Sequence, residues 1–298
     1  MRILLTGKNG QVGWELQRAL APLGEVTALG SAEMNLADPQ AIRQTLAKIQ
    51  PDVIVNPAAY TAVDKAESEP ELAMAVNGIA PGILAEEARR LNAVLIHFST
   101  DYVLDGTQAA PYTENDTPNP QSVYGKTKLA GEQVIRASGA KHLILRTSWV
   151  YGVHGGNFMK TMLRLGRERD ALRVVADQFG APTWARDLAT ATATLLPKWQ
   201  TAQFDPALSG IYHLTAAGRT SWHEYALEIF RLAGQWDAAL AQRSPSVLPI
   251  STAEFPTPAK RPANSVLSNE KIRQVFGVQL PDWQNSLAIC LKEVLNAA

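Results

Sequence analysis

Five short apolar runs, each followed by a stretch of mixed polarity, occupy the first half of the chain and leave it few folds to choose from. They are RILLTG, EVTALG, PDVIVNPAAY, AVLIHFSTD and KHLILRTSWVYG. Rich in Val, Ile and Leu with little polar alternation, they read as strands buried on both faces. After the first run, Val12, Leu16, Ala19, Leu20 and Leu23 fall at helical spacing, and Gly24 makes a natural stop. Pro70 and Pro81 start or bend the helices of the long stretch before the fourth run. This alternation predicts an α/β chain built on a Rossmann-type doubly wound parallel sheet. Such sheets bind ligands beyond the carboxyl ends of their strands.

The rhythm changes after Tyr151. A dinucleotide-binding unit is therefore expected over residues 1–150, and a smaller C-terminal α/β substrate unit over 151–298. Some elements of 171–210 are expected to join the first sheet. The 28 basic and 28 acidic residues cancel, which leaves no electrostatic footprint for nucleic acid or an anionic membrane. Cys290 stands alone, so no internal disulfide forms and a reducing compartment fits. The apolar run after Met1-Arg2 is too short for a signal-peptide core, and no stretch reaches the roughly 20 residues of a membrane helix. A soluble cytoplasmic protein is the expectation.

Gly7, Gly10 and Gly13 in LLTGKNGQVGWEL sit between a strand and an amphipathic helix. Glycine there allows a tight turn and lets backbone N–H groups approach a pyrophosphate at the helix's positive end. Alone, the string is equally a plain strand–turn–helix joint. The second strand ends in ALGSAE, with Gly30 and Ser31 where an NAD-preferring site carries an acid. The missing carboxylate removes repulsion against a 2′-phosphate, and no arginine stands there to bind one. NADPH is the expected cofactor, with NADH also admitted.

Tyr124 and Lys128 in SVYGKTKLAGE lie four residues apart, on one face of a helix. A lysine cation near a phenol lowers its pKa from about 10 and fits it to donate a proton to a carbonyl oxygen. The strand AVLIHF ends at Ser99-Thr100-Asp101, which puts hydroxyls and a carboxylate at the sheet edge where the glycine turn opens. A hydroxyl there can polarise a substrate carbonyl.

Taken in order, Gly7/Gly10/Gly13, STDYVLDG and Tyr124/Lys128 resemble the extended short-chain dehydrogenase/reductase family, and within it the nucleotide-sugar 4-ketoreductases. PDVIVNPAAYTAVDKAE, LRTSWVYG, NFMKTMLRL, DQFGAPT and PTPAKRPANS carry the likeness to residue 265. The resemblance implies NAD(P)H-dependent reduction of the 4-keto group of dTDP-4-dehydro-6-deoxy-L-mannose to dTDP-L-rhamnose, a precursor of cell-wall and O-antigen polysaccharide. Carried across by motif, Thr100, Tyr124 and Lys128 are the catalytic set. Gly7, Gly10, Gln11, Val12, Gly13, Gly30, Asn35, Leu36, Ala58, Ala59, Tyr60 and Thr61 line the dinucleotide, with Tyr124 and Lys128. Asp101, Trp149 and Asn157 join Thr100 on the sugar nucleotide. Arg261, in the Pro-rich loop, is the candidate for its diphosphate, because a guanidinium grips phosphate bidentately. The resemblance also implies a homodimer and, in some members, a magnesium ion held between subunits by glutamates. Glu15 and Glu293 are the counterparts, but Arg186 stands where another acid would be expected.

Three rivals stay open. Sugar 4,6-dehydratases carry Thr-Asp-Glu at the strand end, where this chain has Thr100-Asp101-Tyr102. A 4-epimerase keeps the tyrosine and lysine. A non-catalytic binding subunit, like the regulatory β subunit of methionine adenosyltransferase, shares the fold and works by association. His97, His142, His154, His213 and His223 show no metal-ligand spacing and read as packed or surface residues.

Overall fold

The computed structural model describes residues 1–243 and 245–296. All five apolar runs form strands: β1 (Arg2–Leu5), β2 (Glu25–Ala28), β3 (Val53–Asn56), β4 (Val94–Thr100) and β5 (Lys141–Thr147). A sixth, β6 (Gly210–His213), completes a parallel sheet in the order β6-β5-β4-β3-β1-β2. The order reverses direction between β1 and β3, so the crevice beyond their carboxyl ends is the natural ligand site of the fold.

Each face of the sheet is covered. Ile3, Leu5, Val55, Ile96 and Phe98 pack against Leu16 and Leu20 of the Gln11–Leu20 helix and Leu188, Leu195 and Trp199 of the Ala185–Thr201 helix. Leu4, Ile54, Leu95 and Ile144 meet Leu84 and Ala88 of the Ala80–Arg90 helix and Ile135 of the Val123–Ala137 helix. Each such fully buried Leu or Ile stabilises the fold by about 1.5–3 kcal/mol. Pro70 opens the short Pro70–Met74 helix, and Pro81 lies in the first turn of the Ala80–Arg90 helix.

Within residues 171–210, the Ala185–Thr201 helix covers the sheet, while Ala171–Val175 pairs with Ser246–Ile250. Ala171–Val175 alternates exposed and buried residues, including Arg173, so it suits a half-solvated ribbon better than a central strand. A second core gathers Tyr151, Met159, Leu163, Trp184, Tyr225 and Leu287 from the C-terminal elements. Cys290 is buried in it, and its thiol is pushed up to about 12 by that burial. Among the described residues no helix is long and apolar enough to cross a membrane.

Candidate active site

The glycine turn separates three steric roles. Gly7 has φ +62°, a left-handed conformation, and a Cβ there would lie 2.9 Å from the Ala58 Cβ. At Gly13 a Cβ would stand 2.0 Å from the Gly7 carbonyl oxygen. Backbone and packing therefore demand both glycines. Gly10 is different: its φ is −81°, and the nearest atom to an added Cβ is the Gly7 oxygen at 3.4 Å. Nothing in the chain excludes a side chain there except whatever approaches from outside. Gly10 also caps the Gln11–Leu20 helix without a side-chain bond, which leaves the first turn's N–H groups for an anion. This cradle fits a dinucleotide pyrophosphate.

The other expected cofactor residues surround the turn unequally. Ala58 touches Gly7, and the following Tyr60 is clamped by Asn77, whose amide exchanges bonds of 2.8 and 3.0 Å with the Tyr60 backbone. Ala59 and Thr61 lie in the same loop after β3. Asn77 carried no sequence signal of this role. Val12 and Leu36 pack into the cores, whereas Asn35 is exposed and accepts from the Ala37 N–H. The Gln11 side chain reaches the Val150 carbonyl at 3.3 Å, tying the helix start to the loop after β5.

At the end of β2 the structure adds a pair that the sequence did not bring together. Glu33 accepts from the Gly30 N–H at 2.9 Å and forms an ion pair with Lys8. The Lys8 bond holds the Glu33 carboxyl below its ordinary range. One cation and one carboxylate thus stand beside Gly30, where the adenosine ribose of a dinucleotide lies in such folds.

The catalytic candidates converge at the carboxyl end of β4. Pro118 and Pro120 keep the approach extended, and Ser122 starts the Val123–Ala137 helix by accepting from the Gly125 N–H at 3.2 Å. Gly125 lets the helix press against the strand end, since a Cβ there would sit 2.2 Å from the Tyr102 oxygen. Tyr124 stands in the first turn, and Lys128 one turn later is 1% exposed. Burial pushes the Tyr124 phenol above its usual range, and a hydrogen bond with Thr100 opposes that shift. Burial lowers Lys128 to about 8, opposed by the Glu132 carboxylate. The Lys128 ammonium donates to the Phe98 carbonyl at 2.6 Å and lies 3.2 Å from His97 Nε2.

Thr100 is the last residue of β4, and its hydroxyl donates to Asp101 Oδ1 at 2.9 Å. Asp101 is 3% exposed and also accepts from Ser265. Burial raises its carboxyl to about 6, against the bonds from Ser265 and Thr100.

Beyond this cluster opens a cavity of about 790 Å³ lined by Tyr102, Trp149, Phe158, Trp222, Arg169 and Arg261, among others. Tyr102 joins the two regions by meeting Tyr124 edge-to-face at 5.4 Å. Trp149 stacks on Trp222 at 3.6 Å, and its φ of +48° is an outlier for a bulky residue. Arg261 bonds the Tyr102 hydroxyl at 3.0 Å and Asp64 at 2.6 Å. Asn157 is set apart: it caps the Phe158–Glu168 helix and donates to Gln11 and the Gly152 carbonyl at 3.0 and 2.8 Å. It does not line the cavity. Its residue type before an amphipathic run is an N-cap signal.

The magnesium site that the resemblance implies, already doubtful from Arg186, is not supported. Arg186 takes the place between the two glutamates, with Nη1 and Nη2 at 2.5 and 2.8 Å from Glu293 and Nε at 3.3 Å from Glu15. Among the described residues no group of three or more His, Cys, Asp or Glu is disposed to hold a metal. A guanidinium already stands between the two carboxylates and pairs with both, so this donor set does not fit magnesium.

Residues 1–296 match the family described as the RmlD substrate binding domain. A dTDP-4-dehydrorhamnose reductase of Burkholderia thailandensis is 46% identical over 297 residues, covering 99% of this chain and 100% of that one. The crystal structure of a dTDP-4-dehydrorhamnose reductase from Clostridium acetobutylicum superposes with a TM-score of 0.90 at 40% identity, over 99% of both chains. That of Bacillus anthracis, in complex with NADP, gives 0.87 at 36% identity over 98% and 99%. With the glycine cradle, the strand-end hydroxyls and the Tyr–Lys helix already in place, these likenesses make the chain a member of the dTDP-4-dehydrorhamnose reductase family.

Proposed function

We propose that this chain reduces the 4-keto group of dTDP-4-dehydro-6-deoxy-L-mannose to the alcohol of dTDP-L-rhamnose at the expense of NADPH. The observation that carries the reading is the convergence of Thr100, Tyr124 and Lys128 beside a turn whose Gly10 leaves room for a ligand. When bound, the nicotinamide supplies the hydride. Tyr124 holds the proton that the keto oxygen takes as its carbon is reduced, so the ketone gains one hydride and one proton. The Thr100 hydroxyl turns from Asp101 to the same oxygen and polarises it. The Lys128 ammonium stabilises the phenolate left on Tyr124. Trp149 and Trp222 offer flat apolar faces to the base or sugar, and Arg261 a guanidinium to the diphosphate.

The dehydratase reading lacks its second acid, because Tyr102 occupies that position and bonds Arg261. For the cofactor, the Lys8–Glu33 pair supports use of both dinucleotides with NADPH ahead. Lys8 meets a 2′-phosphate and Glu33 a ribose 2′-hydroxyl. Exposed Trp14 and Ile289, flanking the Glu15–Arg186–Glu293 cluster, support self-association into a homodimer through that face. Following NADPH oxidation at 340 nm with the dTDP-4-keto-6-deoxy sugar tests the reading. Turnover is expected. No turnover, with tight capture of a partner protein instead, would establish the binding-subunit reading.

A further inference from the structure

His97 lies in the interior of β4 and is 0% exposed, yet both ring nitrogens are engaged. Nε2 stands 3.2 Å from Lys128 Nζ, and Nδ1 stands 3.0 Å from the side-chain amide of Asn56, its register partner on β3. The Thr6 hydroxyl, just past β1, donates to Asn56 Oδ1 at 2.6 Å. The amide is thus placed with Nδ2 toward His97, and both ring nitrogens meet donors, which one neutral imidazole cannot satisfy. A single buried chain, Lys128–His97–Asn56–Thr6, therefore runs across three neighbouring strands to the residue before the glycine turn.

The polarity of this chain follows from which atoms donate. An ammonium only donates, so while Lys128 is charged Nε2 must accept and Nδ1 must carry the ring proton. An Nδ1–H needs an acceptor. Asn56 must then present its carbonyl to His97 and its NH2 to the Thr6 hydroxyl. The opposite polarity runs from Thr6 through Asn56 to Nδ1 and leaves the proton on Nε2, where only a neutral amine can accept it. The heavy-atom positions serve both, since the two ends of an amide are interchangeable in place. Burial and the Lys128 charge keep the imidazole neutral, so a doubly protonated ring is no escape.

We propose that His97 is a positioning residue for the reduction: its Nε2 accepts from the Lys128 ammonium, with Asn56 and Thr6 fixing the tautomer that can do so. This rests on the reductase reading, in which Lys128 works as a cation. The other ionisable groups around Lys128 are few. On its own helix Tyr124 precedes it by one turn and Glu132 follows by one. Glu132 is committed to Arg146 of β5 at 2.6 and 2.9 Å and to Ser99 of β4 at 2.5 Å. Of the two acceptors holding the ammonium, the Phe98 carbonyl is fixed backbone and His97 is the one whose accepting nitrogen depends on a tautomer. Because burial already brings Lys128 to about 8, loss of an acceptor for its charged form costs activity just above neutrality.

Two measurements test this. In protein labelled with ¹⁵N-histidine at pH 6.5, nitrogen shifts are expected to report the Nδ1–H tautomer for His97. An Nε2–H tautomer would overturn the proposal, and this readout needs no turnover. In the NADPH-loaded enzyme, His97→Leu is expected to move the alkaline limb of kcat/KM down by about one to two pH units. His97→Gln, which keeps an acceptor at similar reach, should hold the limb near its wild-type position. Equal loss of rate at every pH in both variants, with the limb unmoved, marks a purely structural role and overturns the proposal. If His97→Leu does not fold, the tautomer and the Gln profile decide. Failure of the wild-type enzyme to reduce the keto sugar defeats the reductase reading instead, and the tautomer is measured regardless.

Discussion

The two sides of the cleft spend their polar groups differently. On the side of the dinucleotide and the reacting centre, Thr100 and Ser265 each bond Asp101, Lys128 lies against His97, and the ligand's place is a gap beside Gly10. On the sugar-nucleotide side, the surfaces are broad and aromatic. Trp149 is held in a left-handed conformation against Trp222, and Arg261 is shared between Tyr102 and Asp64. The first side holds its polar groups in buried bonds to one another. The second is assembled from loops far apart in sequence and rests on stacking and one shared guanidinium. Chemistry is therefore expected to fail sharply when the first side is touched, and affinity to fail gradually when the second is.

The largest effect belongs to the first side. Tyr124→Phe should lower kcat by about 10²–10⁴-fold with little change in NADPH affinity, read by steady-state kinetics and fluorescence titration; a variant with full rate refutes the proton donor. Next comes a contrast within the glycine turn. Gly10→Val should weaken NADPH binding by about 100-fold and leave the melting temperature nearly unchanged, because nothing of the chain lies in the way. Gly13→Ala should instead destabilise the fold by about 2–3 kcal/mol, because its Cβ meets backbone. Equal behaviour of the two variants would erase the distinction between a ligand-facing glycine and a packing one.

On the second side, Trp149→Ala should raise the KM for the sugar nucleotide by roughly 10-fold and leave the NADPH Kd alone. A matching loss in both would mean that the two sides are not separable. Lys8→Ala should narrow the NADPH over NADH preference by a few-fold, roughly the worth of one exposed charge contact; a ratio that stays put would remove Lys8 from 2′-phosphate binding. The smallest expected effect is none: chelators should change neither rate nor melting temperature, since Arg186 already bridges Glu15 and Glu293. Activity lost to EDTA and restored by magnesium would contradict that assignment.

Much of the dinucleotide side was legible because its signals are local. Gly7, Gly10 and Gly13 announce a turn within seven residues, and Tyr124 and Lys128 share one helix face. The strands β1, β3, β4 and β5 were equally plain, because burial on both faces leaves unbroken apolar runs, whereas β2 is the edge strand and only partly buried. What escaped depends on tertiary placement. Glu33 meets Lys8 only because β2 runs parallel to β1, which brings both strand ends to one edge. His97 read as a packed histidine, and its partners come from β3 and the Val123–Ala137 helix. Elements of 171–210 were expected in the first sheet, but the alternation of burial along Ala171–Val175 sends that strand to a ribbon outside it. Arg186 was noticed where an acid was expected, and only the structure shows its guanidinium spanning both glutamates.

The claim that joins these observations is that hydride goes to C4 of a dTDP-linked 4-keto sugar while Tyr124 supplies the proton. Running the reaction with deuteride-labelled NADPH and reading the product by NMR tests it most directly. The account predicts one deuterium at C4 of dTDP-L-rhamnose for each NADPH oxidised, and the same ratio at a rate lower by about 10²–10⁴-fold with Tyr124→Phe. A sugar product carrying no deuterium, formed without net oxidation of NADPH, would contradict it and mark an epimerase.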